Sequence, residues 1–195
     1  MTQAWILTAV GKDRPGMVAG LTGILYTLGC NLEDSAMTRL AGEFAMMLVF
    51  SGPSSLTIAR LERACAPAAK RLGLALQVRP LKPAERTASS SGTPYLITVY
   101  GGDKPGIVFR VSEFLARARV NITNVVTHRT PGSGRTRPGP PGAPAGAGTP
   151  SLYLLILEVE LPARLNARPF GASLRRMASS LGVEVSIRSA DTSVL

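Results

Sequence analysis

Residues 5–18 read Trp-Ile-Leu-Thr-Ala-Val-Gly-Lys-Asp-Arg-Pro-Gly-Met-Val, and residues 95–108 read Tyr-Leu-Ile-Thr-Val-Tyr-Gly-Gly-Asp-Lys-Pro-Gly-Ile-Val. The offset of 90 continues without a gap to Asn31 and Asn121, and then to Arg39 and Arg129. Thr8/Thr98, Gly11/Gly101, Asp13/Asp103, Pro15/Pro105, Gly16/Gly106, Val18/Val108 and Leu25/Leu115 are identical pairs. Self-similarity at a fixed offset over this length marks a tandem duplication.

Each copy follows one pattern. Ala4–Val10 and Tyr95–Tyr100 are rich in β-branched and aromatic residues and read as strands. Val18, Leu21, Leu25 and Leu28 then recur at helical spacing, matched by Val108, Val111, Leu115 and Ala118. Gly29 is the expected left-handed stop of the first helix. Arg119 stands there in copy two, so that terminus is built differently or carries strain. Strands follow at Cys30–Thr38 and Glu43–Ser51, joined by a turn at Ala41-Gly42. Copy two has Val120–Arg129 and Leu152–Leu161.

A second helix closes on Gly73 in copy one and Gly182 in copy two. Ser54 or Ser55 is its expected cap in copy one, with Ile58, Leu61, Cys65 and Leu72 as its buried stripe. Phe170, Leu174, Met177 and Leu181 take that role in copy two, and Leu74–Arg79 and Val183–Arg188 are the final strands. The order βαββαβ, used twice, predicts an α+β fold with antiparallel sheets and helices on one face. The expected layout is residues 1–80 as the first domain, 81–94 as a linker and 95–195 as the second domain. Within the second, the Pro/Gly-rich stretch 130–150 reads as a hairpin-tip insertion, and its glycines lack the period of three of collagen.

Composition narrows the classes. The chain has 195 residues, one histidine and two cysteines. That excludes a disulfide framework and any site that needs two imidazoles. No apolar run reaches a membrane span, and the N-terminus lacks the basic start of a signal peptide, so a cytoplasmic protein is expected. The net charge of +10 raises the question of nucleic acid.

The repeated element with chemical content is the strand–helix junction, Asp13-Arg14-Pro15-Gly16 and Asp103-Lys104-Pro105-Gly106. The free amides of a helix's first turn suit an anion such as a carboxylate, and glycine lets a small ligand approach the backbone. The structural alternative is that Asp caps the helix, Pro starts it and Gly relieves crowding. An ionised Asp13 would repel a bound carboxylate, so it is either a cap or a partner for an ammonium group. Asn31 and Asn121 open the next strand, where an amide holds either end of an amino acid or merely makes a turn.

Asp-Arg-Pro-Gly and Asp-Lys-Pro-Gly between strand and helix, followed by Asn and an aliphatic residue, resemble the ACT domains. The tandem pair and the string Gly29-Cys30-Asn31-Leu32-Glu33-Asp34-Ser35 resemble the glycine cleavage system transcriptional repressor group. The resemblance implies two tandem ferredoxin-like units whose sheet edges pair with another such unit, hence a homo-oligomer. It further implies an amino-acid ligand, glycine first, at Asp13, Arg14, Pro15, Gly16 and Asn31, and at Asp103, Lys104, Pro105, Gly106 and Asn121. Regulation would run through a partner transcription factor. Copy two departs at Val120-Asn121-Ile122-Thr123-Asn124, which lacks the Glu-Asp pair.

Catalysis finds little support. His128 reads as an exposed strand residue, Cys30 and Cys65 as inert buried thiols, and nothing calls for a metal or cofactor. Formyltetrahydrofolate deformylases share the N-terminal pattern but need a further catalytic domain, for which the second repeat leaves no length. RNA-recognition modules share the βαββαβ order but stack bases on aromatics. Here Glu43–Phe50 and Leu152–Leu157 are apolar, and aromatics are 5% of the chain. Arg60, Arg63, Lys70, Arg71, Arg117, Arg175 and Arg176 fall on polar helix faces. Arg135 and Arg137 in the insertion, close to Arg129, form the local basic cluster without nearby acids, which could attract phosphate or an acidic partner. Arginine outnumbers lysine 18 to 4, a compositional bias. No sequence-specific DNA binding is expected.

Overall fold

The computed structural model describes residues 2–82, 85, 92–130 and 151–190. The chain divides into two units, Met1–Ser89 and Ser90–Leu195. Unit 1 runs β1 (Thr2–Lys12), α1 (Met17–Thr27), β2 (Asn31–Leu40), β3 (Glu43–Pro53), α2 (Ile58–Leu72) and β4 (Leu74–Pro80). Unit 2 repeats the order with β5 (Gly92–Gly102), α3 (Ile107–Arg117), β6 (Asn121–Thr130), β7 (Leu152–Pro162), α4 (Ala167–Leu181) and β8 (Val183–Ser189). Both sheets are antiparallel, in the orders β2-β3-β1-β4 and β6-β7-β5-β8. This is the ferredoxin-like α+β arrangement. Gly92, Thr93 and Pro94, expected in the linker, belong to β5. The 130–150 insertion, apart from Thr130, and most of the linker lie outside the described residues.

Alternation on the central strands builds each core. Phe44, Met46, Leu48 and Phe50 of β3 point to the helix side, where they join Leu7 of β1, Leu21 and Leu25 of α1, and Leu61 of α2. Unit 2 has its own cluster, which includes Ile97, Val111, Leu115, Leu155, Leu157 and Leu174. The expected stripes hold at Leu21, Leu25, Val111 and Leu115 and differ at their first member. Met17 and Ile107 are buried, whereas Val18 and Val108 are exposed. The reason is that each helix starts directly after a left-handed glycine, so residue 17 shares a face with Leu21 and Leu25. Ile58 is likewise exposed, and Ala68 takes a place in the α2 stripe.

The α2 cap is Thr57, whose Oγ1 accepts from the Arg60 amide, and not Ser54 or Ser55. Those serines lie in a turn closed by the Leu56 amide donating to the Pro53 carbonyl. Asn166 caps α4 in the same way through Arg168 N. Cys65 is buried and Cys30 half-buried, and burial pushes both thiols above the ordinary cysteine range. That suppresses the reactive thiolate.

Both first helices end in the same two-bond cap. Cys30 N donates to Leu25 O and Gly29 N to Tyr26 O; Val120 N donates to Leu115 O and Arg119 N to Ala116 O. The αL residue is Gly29 at φ 70 in one and Arg119 at φ 57 in the other. Unit 2 therefore keeps the motif and carries the strain. Left-handed geometry costs a side-chain-bearing residue about 1–2 kcal/mol, part of which glycine returns as unfolded-chain entropy. Arg119→Gly is expected to stabilise unit 2 by about 0.5–1 kcal/mol, and Gly29→Arg to destabilise unit 1 by a similar amount. Urea midpoints moving in opposite directions for the two variants check this.

Candidate functional site

The repeated loops sit where β1 and β5 run out. Gly16 and Gly106 are the N-caps of α1 and α3, at φ 89 and 91. A Cβ on either would meet nothing within 4 Å, so glycine is required for its backbone conformation and not for space. Neither helix has a side-chain cap or an acid in its first turn. The first-turn amides thus face outward with the positive end of the helix dipole.

Asp13 is neither a cap nor free for an ammonium group. Its Oδ2 pairs with Arg39 Nη1 at 3.2 Å, and its backbone amide donates to Gly42 O at 2.9 Å. The duplicate is faithful: Asp103 Oδ2 pairs with Arg129 Nε at 2.8 Å, and its amide donates to Ser151 O. Exposed pairs of this kind add about 0.2–1 kcal/mol, so their effect here is electrostatic neutralisation beside the helix start. This also corrects the view of Arg129 as part of a basic cluster without acids. Arg135 and Arg137 lie outside the described residues.

The two loops differ in their second residue. Lys104 Nζ donates to Leu181 O at 3.2 Å, which ties the unit 2 loop to the end of α4. Arg14 is exposed, with no side-chain partner among the described residues. Pro15 and Pro105 precede the glycines and are exposed. In unit 2 a cavity of about 320 Å³ lies over the loop, lined by Asp103, Lys104, Gly106, Val108, Phe109 and Tyr153 among others. Burial, then the Asp103 charge, pushes the Tyr153 phenol above its ordinary range, so its O–H remains a donor at neutral pH. Tyr153 and Phe109 were not singled out from sequence. Tyr153 enters through strand register, opposite Gly101, a pairing no local spacing reveals. Its counterpart opposite Gly11 is the buried Phe44.

Asn31 does not join the loop within its own unit. It pairs with Ser51, which pairs with Ala4, whereas the loop follows Lys12. Eight residues of β1 separate the two levels, about 26 Å at the usual strand rise. Asn121 and its loop are placed alike in unit 2. Asn31 is exposed and its amide has no partner among the described residues. Asn121 Nδ2 instead lies 3.4 Å from Glu160 Oε2, and Asn124 Nδ2 lies 3.3 Å from Glu158 Oε1. The edge strand β2 is exposed along its whole length. Both edge strands carry a bulge at the same repeat position, between Leu32 and Asp34 and between Ile122 and Asn124. His128 is exposed on β6. No group of three or more His, Cys, Asp or Glu able to hold a metal occurs among the described residues. No described helix is long and apolar enough to cross a membrane.

Residues 3–79 match the ACT domain family model, and the chain belongs to that family. A UPF0237 protein of Methanopyrus kandleri is 37% identical over 75 residues, covering 38% of this chain and 82% of that protein. The glycine cleavage system transcriptional repressor of Escherichia coli (strain K12) is 28% identical over 130 residues. That match covers 65% of this chain, and the chain spans 65% of the repressor's length. Among solved structures, an unknown protein from Galdieria sulphuraria matches over 97% of this chain and 99% of its own, at 25% identity and TM-score 0.75. A candidate glycine cleavage system transcriptional repressor shares the fold at 19% identity and TM-score 0.68, over 96% of this chain and 97% of that one.

Proposed function

We propose that this protein senses a small amino acid and regulates through a protein partner, without catalysis and without a metal or cofactor. The observation that carries the reading is the pair of uncapped helix N-termini behind left-handed glycines, each beside an aspartate neutralised by arginine. A carboxylate there takes outward amides and meets no unpaired anion. The repressor relative supports regulation of transcription as the output, and makes glycine the first ligand to try. The reading places the protein in the cytoplasm and assigns it no sequence-specific DNA binding.

The remaining ligand group comes from a second copy of the chain. β2 is an exposed edge with Asn31 at one end and Arg39, beside Asp13, at the other. Antiparallel pairing of two such edges brings Asn31 of one copy to the loop of its partner. That makes the functional form a homo-oligomer.

Calorimetry with a panel of amino acids is the test. Asn31→Ala is expected to weaken the bound amino acid about tenfold or more, the cost of one lost hydrogen bond to a charged group. No heat from any amino acid at millimolar concentration overturns the ligand reading, and unchanged affinity in Asn31→Ala overturns the site. A second reading is a dimerisation module whose ligand sites have degenerated, and the Asn121–Glu160 contact, which occupies that amide in unit 2, favours it there. Self-association that ignores every amino acid is its signature.

A further inference from the structure

Duplicated helices invite comparison, and α1 and α3 have diverged most where they face outward. Helix α1 contains no charged residue, whereas α3 carries Arg110, Glu113 and Arg117. Between α3 and α4 runs a groove of about 420 Å³. Phe114, Met177 and Leu181 supply its apolar lining, and Arg110 and Arg117 stand at its rim. The side chains of these two arginines are 60% and 76% exposed, and both lean on the one carboxylate of Glu113, at 3.7 and 2.8 Å. A single acid offsets only one of two cations. Helix α4 adds Arg168, Arg175 and Arg176 and no acid. The two helices together hold five arginines and one glutamate.

An apolar floor under an arginine rim that keeps a net positive charge is complementary to one kind of occupant. We propose that this groove docks an acidic amphipathic helix of a partner protein, with its aliphatic or aromatic side chains on Phe114, Met177 and Leu181 and its carboxylates on Arg110 and Arg117. Helix-in-groove recognition supplies the apolar contact area, and the arginines supply the choice of partner. The groove also adjoins the candidate loop. Helix α3 starts at Gly106, and Lys104 donates to the carbonyl of Leu181, which lines the groove. The inference rests on the reading that the protein acts through a partner, and gives that partner its chemistry.

The probe is a fluorescein-labelled synthetic helix of leucine and glutamate at helical spacing, with a leucine–lysine helix as its counterpart. Both are titrated by polarisation against the full chain without added amino acid, at salt near ~0.1 M, where charges more than about 10 Å apart are screened. The leucine–glutamate helix is expected to bind and the leucine–lysine helix to fail. Arg110→Glu/Arg117→Glu is expected to weaken binding about tenfold or more. Ser180→Trp, which fills the groove without touching charge, is expected to do the same. Each variant is compared at an unchanged urea midpoint. Arg60→Glu/Arg63→Glu on α2 is expected to leave binding intact. Absence of binding overturns the proposal, as does equal weakening by the α2 variant. Competition by duplex DNA that depends on the same arginines overturns it in favour of a nucleic-acid surface. Because no amino acid is present, failure here leaves the calorimetric test of the ligand site standing, and the converse also holds.

Discussion

Phe50→Ala is expected to cost unit 1 about 3–5 kcal/mol, a large share of an ordinary domain's stability. Phe50 is fully buried on β3, between Trp5 of β1 and Leu32 of β2 in the strand register. The cluster it belongs to joins Leu7 of β1, Leu21 of α1 and Leu61 of α2. Truncation loses the transfer energy of the ring and leaves a cavity that the surrounding strands fill only in part. The expected signature in hydrogen exchange is loss of amide protection across unit 1, with protection in unit 2 retained. Unit 2 keeps its own cluster, from Ile97 to Val183, and no residue of that cluster is altered. Equal loss in both units contradicts the expectation.

Gly11→Ala is the second large effect. A Cβ on Gly11 would lie 2.6 Å from the Gly73 carbonyl oxygen and 3.1 Å from Leu74 Cδ2. Gly73 is the left-handed C-cap of α2, so its carbonyl is held by the helix end and does not swing aside. Relief requires moving β4 away from β1, and an overpacked core position of this kind costs about 1–3 kcal/mol. The duplicate offers an internal control. A Cβ on Gly101 would lie 2.8 Å from Val183 Cγ1, a side-chain methyl that can give by rotation, with backbone next at 3.1 Å. Urea midpoints are therefore expected to fall further for Gly11→Ala than for Gly101→Ala, and the reverse order would contradict the argument.

The fold was largely legible because its signals are local and occur twice. The apolar run in Glu43–Ser51, the spacing of Leu21 and Leu25, and stops at Gly29, Gly73 and Gly182 each depend on a few neighbouring residues. Arg119 is the sharpest case: its place in the repeat marks a strained or rebuilt terminus, and the φ of 57 shows the strain retained. The one-residue error at Val18 and Val108 has a local cause too. An αL glycine resets where the helix begins, and apolar spacing alone accepts either phase. The Thr57 cap was hidden because three hydroxyl residues, Ser54, Ser55 and Thr57, compete within four positions, and the turn to Leu56 decides among them.

The candidate site was legible in its parts and not in its assembly. Asp13, Gly16 and Asn31 stood out from the repeat, and Arg39 lay in it without a role. Their roles depend on register. Arg39 reaches Asp13 because β2 and β3 fold back through the Ala41-Gly42 turn, which returns the chain to the end of β1.

By itself, then, the sequence determined a duplicated βαββαβ chain, its helix stops, and a backbone opening repeated at Gly16 and Gly106, since each follows from near neighbours. Tertiary structure alone decided that the aspartates are neutralised by arginine and that Asn31 lies a strand's length from its loop. It also decided that Arg110 and Arg117 of α3 share one groove of unit 2 with Met177 and Leu181 of α4. Strand register and helix packing bring together residues tens of positions apart, and spacing along the chain carries no record of that distance.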